Sequence, residues 1–420
     1  MHSSPPSSRL KWAGRGAVAM AICSLFAGVA PPNAAADPPY PLDKTLRMNQ
    51  IQTMATHNSY KPGLIPQGLP PSMANLFPGA TIEQLQAGLD HGHKTLTEQI
   101  NNLGVRSIEL DVHADTDGGL YTETPRLAEV GAPTRMDDPA WAKPGLKVFH
   151  VAQVDQRTTC VQFVQCLGEL KQWSDQNPNH LPFMVLVEFK DTDPLGGEPT
   201  PPREWGPADY DRVDAEIRSV IPKNQLVTPD DVQGKFPTLE AAVKANAWPT
   251  LDQSRGKFMF VNCNCVAPND RQRLDYLRPD GSLKDRVLFP TSKPGNPDAA
   301  VVLADDPKDG NAIRELVKAG YMVRTRSDEN TVEARRGDMT RANAAFASGA
   351  QWVSTDYPEP DPGRTNTTYQ VDVPGGTPAR CNPVNAPAAC TSLDIENPDR
   401  LSHGNGGQGS LGGGRQTFGS

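Results

Sequence analysis

Short apolar strands alternate with amphipathic helices from residue 50 to residue 355, and this alternation restricts the possible fold more than any other feature. Strands are expected at Gln50–Thr56, Val105–Val112, Lys147–Ala152, Phe183–Phe189, Lys257–Asn262, Val287–Pro290, Tyr321–Arg326 and Trp352–Thr355. Between them, apolar residues recur at helical spacing. One such run is Ile82, Leu85, Leu89, Leu96, Ile100 and Leu103; others are Val161 to Leu170, Val213 to Val220, Ile313 to Val317 before Gly320, and Asp338–Ser348 before Gly349. A strand–helix–strand repeat implies parallel pairing, because each helix carries the chain back to the same end of the sheet. Eight such units over about 310 residues predict a (β/α)8 TIM-type barrel with insertions. The competing topology is an open doubly wound sheet, but no G-x-G-x-x-G follows the first strand.

The flanks differ in texture. Arg9, Lys11 and Arg15 precede an apolar run, Ala17–Ala30, and Ala34-Ala35-Ala36 reads as a cleavage site. Residues 1–36 are therefore expected to be a secretory signal peptide, and the product secreted, extracellular or periplasmic. The apolar run is too short to span a bilayer, mean hydropathy is -0.52, and no transmembrane span is expected. Residues 37–360 form the expected barrel. Residues 361–420 are polar and Pro-rich, then Gly-rich, and predict an irregular segment with a flexible tail. Loss of three leader cations takes the formal net charge from -8 to -11. With no Lys/Arg cluster to track a phosphate backbone, nucleic-acid binding is not expected.

Six cysteines follow the leader, an even number that in a secreted chain reads as disulfides. Cys160–Cys166 and Cys381–Cys390 would close short local loops. Cys263 and Cys265 either bridge each other or pair elsewhere. A zinc site is disfavoured, because no second close cysteine pair stands at finger spacing.

In a barrel of this kind the chemistry sits at the C-terminal ends of strands. There the sequence offers Thr56-His57-Asn58-Ser59-Tyr60, Glu109-Leu110-Asp111-Val112-His113, His150, Glu188-Phe189-Lys190, Arg324-Thr325-Arg326 and Asp356-Tyr357. Glu109 and Asp111 are two apart on a strand and share a face, as do Glu188 with Lys190 and Arg324 with Arg326. Taken singly, each has an ordinary structural explanation. Together, three carboxylates and an amide oxygen make an all-oxygen site suited to Ca2+ or Mg2+. Two histidines suit a general base and acid, and cationic residues suit an anionic substrate. The combination points to cleavage of a phosphodiester.

The strings Thr56-His57-Asn58-Ser59-Tyr60, Ser107-Ile108-Glu109-Leu110-Asp111, Val148-Phe149-His150 and Leu186-Val187-Glu188 resemble the phosphoinositide-specific phospholipase C superfamily, within the PLC-like phosphodiesterases. Over residues 47–360 the likeness is to its calcium-dependent branch, and nearest to the secreted bacterial enzymes. The resemblance implies phosphatidylinositol cleavage to diacylglycerol and inositol phosphate through an inositol 1,2-cyclic phosphate. It implies His57 as general base, His150 as general acid, and Asn58, Glu109, Asp111 and Glu188 as Ca2+ ligands. Lys190, Arg324 and Arg326 have no secure counterpart and are substrate-binding candidates by position, with Asp356 and Tyr357 at the inositol end. His113 departs from the family pattern and competes with His150 as the acid.

The substrate is expected at a membrane surface and the chain is expected to be a monomer. The apolar segment from Leu64 to Phe77 either touches lipid at the barrel mouth or packs as an ordered loop. Two other functions compete. A glycerophosphodiesterase on the same barrel typically has Arg after its first His, where this chain has Asn58. A non-catalytic sugar-phosphate binder would not need the His57/His150 pair.

Overall fold

A computed structural model describes residues 40–76, 79–191, 205–263 and 270–396. The expected signal peptide, the Gly-rich tail, Phe77 and Cys265 lie outside these residues.

Eleven strands occur among the described residues: β1 Ile51–Thr56, β2 Ser107–His113, β3 Lys147–Val148, β4 Phe183–Phe189, β5 Leu226–Val227, β6 Phe258–Asn262, β7 Leu288–Pro290, β8 Val301–Leu303, β9 Met322–Arg326, β10 Trp352–Thr355 and β11 Ala379–Cys381. They lie in one sheet ordered β5-β6-β4-β2-β1-β10-β9-β8, with β7 also on β6. Every neighbour along that path is parallel, as the alternating pattern requires. The sheet curls into an α/β fold resembling a distorted TIM-type barrel. Thr291, just past β7, forms an isolated parallel bridge with Val301 at the start of β8.

The strands found differ from those expected at β3 and β8, and β5 and β11 are further short strands that the pattern does not mark. The stretch 147–152 shrinks to β3, which pairs antiparallel with β2 and is not a sheet-building parallel strand. The chain turns there because the amides of His150 and Val151 both donate to the Asp155 carbonyl, at 3.2 and 3.1 Å. The parallel position is taken instead by β8, a three-residue run that follows a Pro/Gly-rich stretch and has no alternation to reveal it. Residues after Pro360 are also more regular than expected. β11 pairs antiparallel with β1, Cys381–Cys390 staples the segment, and buried Glu396 accepts from Arg106 Nε at 2.8 Å.

The run from Ile82 to Leu103 is two helices, Ile82–Leu89 and Leu96–Leu103. Thr95 caps the second and receives Glu98 in a reciprocal capping box. The break between them passes close to the first loop: a Cβ at Gly92 would lie 2.7 Å from the Pro62 carbonyl. In the loop before this pair, Leu64, Leu69 and Met73 pack inward with Val154, against Ile82, Leu85 and Leu89. The described part of the mouth segment is thus an ordered, packed loop.

Alternation along the strands sets the interior. Ile51, Thr53, Met184, Met259, Met322 and Trp352 line a residual cavity of only about 10 Å³ at the N-terminal end. Side chains two or four residues further along a strand share that face. The same register therefore carries His57, Glu188, Arg324, Arg326, Ser354 and Asp356 to the other end, above a filled apolar floor.

Candidate active site

The β1–β2 junction fixes the first two site residues. The His57 amide donates to the Thr355 carbonyl at 3.1 Å, extending the β1–β10 ladder by one residue. Asn58 then adopts φ 48°, a left-handed conformation that Asn tolerates better than most residues. Ser59 splices the loop to β2: its amide donates to the Glu109 carbonyl at 3.1 Å and its Oγ accepts from the Glu109 amide at 2.9 Å. In the β2–β4 register Asp111 is the direct partner of Glu188.

These constraints bring three carboxylates together. Glu109, Asp111 and Glu188 each present an oxygen within 4.8 Å of the others, all buried. The Asn58 side chain is also buried, and its Oδ1 accepts from Tyr60 Oη at 3.4 Å. Both Asp111 oxygens are buried without a well-aligned hydrogen bond. Burial and the neighbouring carboxylates push the Asp111 carboxyl well above its ordinary range, although the Lys190 ammonium opposes them. Burial also penalises Glu188, but Lys190 outweighs it and holds that carboxyl low. Lys190 Nζ lies 2.9 Å from Asp111 and 2.6 Å from Glu188, and these carboxylates, against the cost of burial, raise its pKa. An all-oxygen, multiply anionic and partly unsatisfied donor set fits a hard divalent cation such as Ca2+.

Two imidazoles stand near this cluster, and both lower the Glu188 pKa electrostatically. Each is backed by a buried aspartate. His57 Nδ1 is 2.7 Å from Asp356 Oδ1, and its Nε2 faces Glu109 Oε1 at 3.9 Å. His150 Nδ1 is 3.0 Å from Asp155 Oδ2, which also pairs with the fully buried Lys61 at 2.7 Å. Burial pulls His150 down to about 4 despite the Asp155 hydrogen bond. His113 is elsewhere engaged: it stacks on Phe149 at 3.6 Å between centroids, and its Nε2 contacts the Phe149 carbonyl at 3.0 Å.

Most of the candidate substrate contacts are buried and already paired. Arg324 is 4% exposed, with one amino group on Glu109 at 2.7 Å and the other on Asp305 at 2.6 Å. Asp356 is buried behind His57, its second oxygen 3.0 Å from Arg326 Nη2. Burial opposes its ionisation, but His91, His57 and Arg326 hold its carboxyl well below the usual range. Tyr357 is 2% exposed and packs edge-on to Tyr369, so its ring offers no open stacking face. Arg326 remains partly open at 12%, as does Lys190 at 16%.

Several residues at this end are not singled out by the sequence pattern. Asp155, Lys61, Asp305, Asp328, His91 and His93 all come from loops. The one local signal is Asp90-His91-Gly92-His93, which interrupts an otherwise helical run. His93 Nε2 contacts the His57 carbonyl at 2.8 Å.

A family model described as "Phosphoinositide phospholipase C, Ca2+-dependent" matches residues 46–383. The chain belongs to this family. It is a phosphoric diester hydrolase with calcium-dependent, phosphoinositide-specific phospholipase C activity. Among solved structures, the chain is similar to a Ca2+-dependent phosphatidylinositol-specific phospholipase C from Streptomyces antibioticus, with 18% identity over 74% of this chain and 95% of that one, and a TM-score of 0.47. It is also similar to a calcium-dependent enzyme from a Pseudomonas species, with 16% identity over 82% of this chain and 99% of that one, and a TM-score of 0.48. No curated protein matches the chain in sequence. No helix among the described residues is long and apolar enough to cross a membrane.

Proposed function

We propose that this phospholipase C cleaves phosphatidylinositol by attack of the inositol 2-hydroxyl on phosphorus, with His57 as general base and His150 as general acid. The observation that carries the reading is the pair of aspartate-backed imidazoles near the carboxylate cluster. With Nδ1–H donating to Asp356, His57 keeps the Nε2 lone pair facing the cluster, where a hydroxyl proton can be taken. The tethered hydroxyl gains the effective concentration of an intramolecular nucleophile, which favours a 1,2-cyclic product.

Glu109, Asp111, Glu188 and Asn58 would hold Ca2+, which when bound supplies Lewis-acid stabilisation of phosphoryl charge. Arg324 keeps Glu109 oriented, and Asp356 keeps His57 in its basic tautomer. Both are positioning residues, because they are buried as well as paired. Lys190 and Arg326, which stay partly open, are the proposed contacts to phosphate and inositol hydroxyls. His150 gives its proton to the glycerol oxygen. An anionic phosphate beside the ring favours the imidazolium, so substrate binding and His150 protonation reinforce each other. His113 is left out of the reaction by its stacking and its carbonyl contact.

Several wider readings belong with this one. The curled sheet is proposed to close into a (β/α)8 barrel, with Thr291 to Val301 as its seam. The chain is proposed to be secreted as a monomer by way of residues 1–36, and to meet its substrate at a lipid surface. Residues 37–360 are proposed as the catalytic barrel and 361–420 as an appended segment and tail. A release assay on phosphatidylinositol and on a substrate methylated at the 2-hydroxyl tests the mechanism. Turnover of the natural lipid to the cyclic phosphate with none of the methylated one is expected. Cleavage of the methylated lipid would mean that water attacks directly.

A further inference from the structure

His91 is a buried imidazole with no hydrogen-bond partner on either nitrogen, and the mechanism leaves it unused. Its side chain is 2% exposed, and Nε2 lies 3.5 Å from Asp356 Oδ1, the same oxygen that His57 Nδ1 approaches to 2.7 Å. The donor atoms of His57, His91 and Asp356 all fall within 4.8 Å of one another. The His57 and His91 rings are 5.6 Å apart and tilted by 32°. Burial pushes the His91 imidazole well below its ordinary range, with the carboxylate of Asp356 only partly offsetting it. The burial of an unpaired imidazole costs stability and is uncommon.

We propose that His57, His91 and Asp356 form a second metal site, distinct from the carboxylate cluster, that takes Zn2+ and switches the enzyme off. Two imidazole nitrogens and one carboxylate oxygen, with a fourth position left for water, are the donor set of an open zinc site. They are a poor set for Ca2+, which takes oxygen ligands. His57 is 18% exposed, so an ion can approach from the mouth. Arg326 Nη2 stays 3.0 Å from the other oxygen of Asp356 and 3.2 Å from His57 Nδ1. Its charge opposes a cation and makes this a regulatory site of moderate affinity rather than a structural one.

The chemistry balances without release of a proton. Zinc takes the Nδ1 lone pair of His57, and the proton that Nδ1 shared with Asp356 moves to Nε2. His91 binds through Nε2 and keeps its proton on Nδ1. Nε2 of His57 then carries a hydrogen where the reaction needs a lone pair. This inhibitory consequence rests on reading His57 as the general base; the binding claim does not.

The experiment combines zinc inhibition at saturating calcium with direct zinc binding, on the calcium-loaded wild type and on His91→Gln. Loss of an outer partner alone weakens metal affinity about 10–100-fold, so loss of a ligand should cost at least as much. The expected result is one zinc equivalent bound by the wild type at low micromolar zinc, with inhibition, and at least about tenfold weaker binding in His91→Gln, with inhibition of its own turnover weakened in parallel. Zinc bound without inhibition would leave the site and overturn the base assignment. Equal zinc affinity in both proteins, or inhibition relieved simply by more calcium, would overturn the site. Anomalous scattering from zinc-soaked wild-type crystals decides independently of whether the variant folds. A peak between His57, His91 and Asp356 is expected, and a peak only at the carboxylate cluster refutes the proposal.

Discussion

Replacing Asp356 by asparagine should leave the shape of the site intact and remove its basic tautomer. In the native site Oδ1 lies 2.7 Å from His57 Nδ1 and Oδ2 lies 3.0 Å from Arg326 Nη2, with the side chain 1% exposed. Arg326 is an obligate donor and will hold the amide oxygen of the new side chain. The NH2 group then faces His57, which forces Nδ1 to accept and moves the ring proton to Nε2. A charge-assisted hydrogen bond to the developing imidazolium is worth about 1.5–3 kcal/mol, or roughly 10- to 150-fold in rate. The tautomer change adds to this; in a serine-protease triad the same substitution costs about 10⁴-fold. We therefore expect kcat to fall by about 10²–10⁴, with KM changed far less. The assay is release of water-soluble inositol phosphate at saturating calcium, normalised to calcium-binding stoichiometry so that misfolded protein is not counted. A loss smaller than about tenfold would refute the positioning role of Asp356 and the tautomer argument with it.

Chelation of calcium should abolish activity, and Glu109→Gln or Asp111→Asn should weaken calcium binding and turnover together; full activity in excess chelator would remove the metal assignment. His150→Ala should damage cleavage of the natural lipid more than cleavage of a substrate with a low-pKa leaving group, and equal losses would end its role as acid. Because burial holds free His150 at about 4 and bound phosphate favours its protonation, the alkaline limb of kcat should lie at higher pH than that of kcat/KM. Thiol titration of the denatured, unreduced mature protein should find no free cysteine: Cys160–Cys166 and Cys381–Cys390 are bridged, and Cys263 is also disulfide-bonded. His180 is buried and held at about 4 by desolvation, against 6.5 ordinarily, so the unfolded chain binds the extra proton between those values. Stability should drop as pH falls from about 6.5 to about 4, by up to about 3 kcal/mol from this group, and the melting temperature of His180→Gln should be less acid-sensitive than that of wild type.

The residues legible in sequence are those whose position follows from strand period. Glu109 with Asp111, and Glu188 in register with Asp111, lie on regular strands where a two-residue spacing fixes the face. His57 follows from the end of β1 in the same way, because the ladder extends one residue past Thr56, whereas Asn58 is placed by its left-handed turn. The pattern misleads where backbone regularity is lost. It puts His150 at the end of a strand that does not exist beyond Val148; what holds the residue is a turn closed on Asp155, and no periodicity encodes that. β8 is invisible to periodicity because three apolar residues are too few to show alternation.

A second kind of discrepancy concerns depth rather than location. Sequence position suggests Arg324 and Asp356 as substrate contacts, because charge at a barrel mouth normally faces the ligand. Yet a buried charge must be paired, and each has its partner on another strand or loop, Arg324 on Glu109 and Asp305, Asp356 on His57 and Arg326. Sequence order gives no hint of such pairings, because the partners stand from 19 to 299 positions apart. The consequence reaches the proposed mechanism: several of the charges at the mouth are buried and already paired with one another. In the proposed mechanism these charges orient the groups that do touch the substrate, so each positioning residue should affect kcat, whereas Lys190 and Arg326, still partly open, should affect KM as well.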